Sequence, residues 1–166
     1  MEKYSRSVEL NGGPGKGQHT KMVNQIVIAG TMAGVVEGIM YASKSGLDMN
    51  KTLDIITLGA ANSFSLEVLG RRIVNKNLNP GFYVEHFIKD LEICLEESAK
   101  MDLSLPCLAI VKQFYTALKA QGGGRLGTQA LIKVLENMNN HKIHKEWTNG
   151  KGQLIKELMN WFCKIL

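Results

Sequence analysis

The chain has 166 residues, 45% of them hydrophobic and 21% charged, with a net charge of +5 at neutral pH. That composition fits one globular domain large enough to bury a core and excludes a wholly disordered chain. The surplus positive charge is mild and interleaved with acids, as in Lys89-Asp90-Leu91-Glu92, and no basic stripe with alternating aromatics appears. Nucleic acid is therefore not expected as a partner, whereas a small anion suits the charge.

Residues 1–12 read as a lead-in, with Val8-Glu9-Leu10 extended before the turn Asn11-Gly12-Gly13. The polar start Met1-Glu2-Lys3-Tyr4-Ser5 has no apolar run of a secretory signal, so the expected location is cytoplasmic. Next comes Gly13-Pro14-Gly15-Lys16-Gly17-Gln18-His19-Thr20-Lys21-Met22-Val23-Asn24-Gln25, a glycine-rich turn running into a helix. Lys21 and Asn24, three residues apart, share one helical face. An amine beside an amide, partly shielded from water, can take a proton from a hydroxyl and hold the carbonyl that results.

The helix that carries this pair is expected over about 18–44, stopped by Ser45-Gly46. It is apolar almost all round, the pattern of a helix buried on most sides. Gly30, Gly34 and Gly38 form a small-residue stripe that would let another helix approach closely. Its GxxxG spacing also invites a membrane reading. Glu37 inside the run, Asn24 and Gln25 near its start, and the lack of matching runs elsewhere favour a central or interface helix with no membrane contact.

Asp48 is a natural N-cap for a helix to about Gly59, and Gly59-Ala60-Ala61-Asn62-Ser63 reads as a turn. Helices are expected over about 65–75, 82–101, 106–121 and 128–137, separated by the breakers Asn79-Pro80-Gly81 and Gly122-Gly123-Gly124. Residues 139–152 are polar and irregular. From Gln153 a helical pattern returns, with Leu154, Leu158, Trp161, Phe162 and Ile165 on one face. No stretch alternates as a strand does, so the expected fold is all-α: several helices around a long, central, buried one.

Three cysteines, Cys94, Cys107 and Cys163, lie far apart among apolar neighbours and read as buried, reduced thiols. His141 and His144 lack further ligands, so no metal site is expected and the pair reads as solvated. Gly122 to Gly127 matches GxGxxG, but a helix precedes it where a dinucleotide cradle needs a strand. Gly12 to Gly17 has Gln18-His19 where a phosphate loop carries Lys-Ser/Thr. Neither glycine run reads as a nucleotide site.

The order Gly13-x-Gly-x-Gly-x-x-x-Lys21-x-x-Asn24, then Glu37 to Gly46-Leu47-Asp48, Gly59 to Ser65, and Pro80-Gly81-Phe82 with Phe87-Ile88-Lys89-Asp90-Leu91, resembles the β-hydroxyacid dehydrogenases. The likeness runs over about residues 10–136. It is to the helical C-terminal domain, a fold similar to the C-terminal domain of phosphogluconate dehydrogenase. The resemblance implies an NAD(P)-dependent oxidoreductase acting between a small hydroxyacid and its semialdehyde. It implies Lys21 as general acid/base, most effective if burial lowers its pKa, with Asn24 and Ser63 on the substrate. Lys89 and Phe82 would meet the cofactor, NAD or NADP, and Asp90 would hold the helix of Lys89. The main cofactor cradle would belong to a Rossmann domain not encoded in these residues, so this chain alone should turn over little. Residues 13–136 would form the catalytic and dimerisation domain of a homo-oligomer, with 137–166 as an extension. A non-catalytic oligomerisation module is the other reading.

Overall fold

The structure, a computed structural model, describes residues 11–144. The lead-in strand, Cys163 and the helix expected from Gln153 lie outside the described residues. Everything regular within them is helical, apart from an isolated antiparallel bridge between Tyr83 and Gly127.

Helix α1, Lys16–Lys44, is about 44 Å long at 1.5 Å per residue. Gly15 precedes it in the left-handed conformation (φ 86°), which a glycine adopts without strain. Helix α2, Met49–Ile56, starts where Asp48 accepts the backbone N–H of Lys51 at 3.0 Å. A π-helical turn, Ser65–Gly70, runs into α3, Arg71–Val74. Helices α4, Val84–Ala99, and α5, Pro106–Ala120, form a long antiparallel pair. Two 3₁₀ turns, Gly123–Arg125 and Thr128–Leu131, lead to α6, Ile132–Met138.

The core forms where α1 meets α4, α5, α6 and the π turn. Ala29, Met32, Val36 and Ile39 of α1, at helical spacing, pack with Phe87 and Leu91 of α4, Tyr115 of α5 and Ile132 of α6. Each such apolar side chain contributes about 1.5–3 kcal/mol on burial. Tyr115 is fully buried, and its hydroxyl donates to the Thr128 carbonyl at 3.0 Å. Burial pushes its phenol pKa up.

Several expectations need correction. Helix α1 is buried on one side only: Val23, Val27, Gly34, Gly38 and Tyr41 are exposed, Tyr41 at 75%. A Cβ added at Gly30, Gly34 or Gly38 would touch nothing within 4 Å, so the glycine stripe faces outward. By length and composition α1 could cross a membrane, and 39% of its most apolar window is buried against the rest of the chain. Cys94 is buried but Cys107 is exposed, because it follows Pro106 at the open start of α5. The two histidines are docked rather than solvated: His141 Nε2 lies 2.9 Å from Ser43 Oγ and His144 Nε2 3.0 Å from the Ile73 carbonyl. Between them Ile143 joins the core, and its N–H donates to Glu136 Oε1 at 2.9 Å, so the packed body continues to His144.

Candidate functional site

The N-terminal half of α1 forms one wall of an open cavity of about 580 Å³. Lys21, Asn24 and Val27 come from α1, Ser63, Phe64 and Ser65 from the loop and π turn, Arg72 from α3, and Phe82 from the loop just before α4. Four residues picked from the sequence, Lys21, Asn24, Ser63 and Phe82, therefore meet in one place. Lys21 lies in the second turn of α1, not the first, because the helix begins at Lys16. Its ammonium sits 5.8 Å from the centroid of the Phe82 ring, within cation–π range. The side chain is exposed, so the shielding expected for it is not present among the described residues.

Behind this pair runs a hydrogen-bonded chain. Asn24 Nδ2 donates to Gln25 Oε1 at 2.9 Å, and Gln25 Nε2 donates to Asp90 Oδ2 at 2.7 Å. Asp90 Oδ1 lies 3.7 Å from Lys89 Nζ. Gln25 is buried at 3% exposure, which fixes the rotamer of the amide that Asn24 leans on. Asp90 thus ties α4 to α1 as well as meeting Lys89. Burial raises the Cys94 thiol pKa beside it, the Asp90 carboxylate adds to that, and the Lys21 charge opposes it.

Lys89 does not reach the cavity. It lies two residues from both Phe87 and Leu91, about 200° round the helix from each at 100° per residue. Its side chain is 69% exposed on the outer rim. The Ser63 hydroxyl accepts the N–H of Leu66 at 3.0 Å, so it caps the π turn and keeps its own proton and one lone pair to offer a ligand.

The aromatic wall is held by a clasp that the sequence did not disclose. Gly127 N–H donates to the Leu78 carbonyl at 3.0 Å and Val84 N–H to the Leu126 carbonyl at 3.0 Å. Gln129, 1% exposed, donates through Nε2 to the carbonyls of Asn77 and Asn79 at 3.2 and 3.0 Å. Together these bonds fasten the Asn77–Pro80 loop, and hence Gly81 and Phe82, against the turn that links α5 to α6. The glycine run at 122–127 is this turn, preceded by helix α5 as expected. Among the described residues no group of three or more His, Cys, Asp or Glu gathers as a metal site.

A family model described as the NAD-binding domain of NADP-dependent 3-hydroxyisobutyrate dehydrogenase matches residues 15–135. A relative from Arabidopsis thaliana named probable 3-hydroxyisobutyrate dehydrogenase-like 1, mitochondrial, is 54% identical over 136 residues, which are 82% of this chain and 41% of that protein. The 2-hydroxy-3-oxopropionate reductase of Escherichia coli is 36% identical over 143 residues, 86% of this chain and 49% of the reductase. Among solved structures, a 3-hydroxyisobutyrate dehydrogenase from Salmonella typhimurium superposes with a TM-score of 0.70 at 25% identity, covering 73% of this chain and 42% of that one. The chain thus spans less than half the length of these relatives.

Proposed function

This chain belongs to the β-hydroxyacid dehydrogenase family, and from that membership we propose that it supplies the helical C-terminal domain of an NAD(P)-dependent oxidoreductase acting on a small hydroxyacid or its semialdehyde. The observation that carries the reading is the meeting of Lys21, Asn24, Ser63 and Phe82 around one cavity. A bound NAD(P) would supply the hydride-transfer chemistry, with Phe82 among the residues that would hold it. Phe82, 39% exposed with its ring edge-on to Phe87, offers a fixed flat surface suited to a planar heterocycle. The cavity is of a size typical for small-ligand sites.

The chain's own part is proton transfer and orientation. Lys21 Nζ takes the hydroxyl proton as the carbinol becomes a carbonyl and gives it back in the reverse direction. Asn24, held by the Gln25–Asp90 chain, presents its amide to the oxygen being polarised. Proton transfer of this kind contributes about 100- to 10,000-fold. The test joins residues 11–166 to the N-terminal segment of the Arabidopsis relative and monitors NADH or NADPH oxidation with small semialdehydes. The expected result is turnover by the fusion and little or none by the chain alone. Lys21→Ala should lower kcat about 100- to 10,000-fold with cofactor affinity nearly unchanged. Wild-type kcat in that variant would remove Lys21 from the chemistry.

A second reading, compatible with the first, rests on the exposed apolar side of α1. We infer that Val23, Val27, the glycines at 34 and 38, and Tyr41 form an association surface for a homo-oligomer. Residues 13–136 would then serve both roles, with the remainder as an appended segment.

A further inference from the structure

We propose that Arg72 is an anion-binding group of the Lys21 cavity, placed to take a carboxylate or phosphate on the ligand that Lys21 and Asn24 engage; the proposal rests on reading that cavity as the substrate site. Arg71 and Arg72 are adjacent on α3 and so diverge by about 100°. Arg71, also half-buried, is paired: its Nη1 meets Asp54 Oδ1 at 2.6 Å. Arg72 turns inward, half-buried, and lines the cavity. Arg125, the remaining arginine among the described residues, pairs with Glu85 at 2.7 Å. No carboxylate of the described residues lies in ion-pair range of Arg72.

The cavity wall strengthens the point. It holds two cations, Lys21 and Arg72, and no aspartate or glutamate among its described residues. Asp90 lies behind it, engaged by Gln25 and Lys89. Neutral hydroxyls fill the space between: Thr31 Oγ1 and Ser65 Oγ are 3.2 Å apart, and Ser65 is buried. The guanidinium lies against the Gly81 backbone, close enough that a Cβ there would stand in ordinary contact with Arg72 Nη1 at 3.6 Å. The π turn just before α3 shifts the helical register of Arg71 and Arg72, a device common at ligand sites.

A partly desolvated cation without a partner is costly, and a bound anion offsets that cost. The guanidinium fork matches a carboxylate or phosphate through two parallel N–H···O bonds. Two sources share this chemistry: a second carboxylate on the substrate, or a phosphate of the cofactor.

The experiment titrates the full chain with malonate, as the dicarboxylate, and with inorganic pyrophosphate, monitoring amide chemical shifts at fixed ionic strength. Wild type, Arg72→Gln, Arg72→Lys and Lys21→Gln are compared, with thermal melts to verify folding. At least one probe should bind wild type and lose tenfold or more in affinity in Arg72→Gln. Malonate as the sensitive probe assigns the group to the substrate, and pyrophosphate assigns it to the cofactor. Arg72→Lys keeps the stem and the charge but not the fork, so it should recover only part of the loss, and it serves if Arg72→Gln does not fold. Affinities unchanged by either Arg72 variant, or no binding by wild type, overturn the proposal. Loss in Arg72→Gln with none in Lys21→Gln keeps Arg72 as an anion group and instead counts against the reading of Lys21.

Discussion

The clasp that holds Phe82 can be tested by a double-mutant cycle at Gly127 and Gln129. Gly127 has φ −72° and ψ 157°, a conformation any residue adopts, so only space requires a glycine there. A Cβ at this position would collide with Gln129 Oε1 and lie 2.9 Å from both Gln129 Cδ and the Asn79 carbonyl oxygen. Overpacking of this kind costs about 1–3 kcal/mol, and the upper part of that range applies because Asn79 presents backbone. Gln129→Ala loses two hydrogen bonds of about 1 kcal/mol each and a buried methylene of about 0.8 kcal/mol. It also removes Oε1, a buried acceptor that has no hydrogen-bond partner, which returns about 1–2 kcal/mol. The net cost of Gln129→Ala is then about 1–2 kcal/mol. In that background Gly127→Ala meets only the Asn79 oxygen, so its cost should fall by about 1–2 kcal/mol. Urea unfolding monitored by circular dichroism measures all four corners, with equal slopes certifying a shared denatured state. Additivity within about 0.5 kcal/mol would show that the two side chains do not share the space assigned to them.

The surface supplies two further outcomes. Gly34→Leu places a branched side chain on the exposed stripe of α1, where nothing in the chain obstructs it. Sedimentation should then show a lower mass than wild type at equal monomer stability, and an unchanged oligomer would exclude the stripe from the contact. Arg125 donates to Glu85 at 2.7 Å and holds its carboxyl below the usual carboxylate range. A depressed folded pKa contributes stability above the unfolded value that is lost as pH falls through the folded one. Glu85→Gln should therefore melt slightly below wild type near neutrality, with the gap closing as pH drops below about 4. A gap independent of pH would mean that the ion pair is not its origin.

Much of this arrangement was legible in the residues. The buried positions 84, 87, 88, 91 and 94 of α4 announce themselves by helical spacing, and Asp48 and Pro106 mark helix starts by their chemistry. The Lys21–Asn24 pair is evident from its spacing alone. The π turn at 65–70 is not, because an i to i+5 bond leaves no repeat in six residues. Lys89 stands outside the cavity, and its position on the wheel of α4, opposite Phe87 and Leu91, already turned it outward. Gln25 did leave a signal, a glutamine sharing a helical face with Met22, Ala29 and Met32, but its partner Asp90 is 65 residues away. Arg72 on α3 and Gln129 in the second 3₁₀ turn come near α1 only through the whole fold, so no local pattern marks them.

The even apolarity of α1 has a structural sense that periodicity could not supply. Val23, Val27, Gly34, Gly38 and Tyr41 lie exposed along one side of α1, so its apolar and small residues are not all spent on the core. Part of this exposed side borders concavities. Val27 and the exposed Phe64 line the Lys21 cavity, while Gly34 and Gly38 line a neighbouring groove of about 400 Å³ with Leu53 and Ile56. Thr31 and Ser63 border both, so the two hollows share one partition. A second body seated against α1 would cover this apolar rim and, with it, the open side of Lys21. Withdrawing water there strengthens the attraction of the ammonium for a bound anion. The same burial that would favour association would thus also tighten the hold of Lys21 on an anion in the cavity.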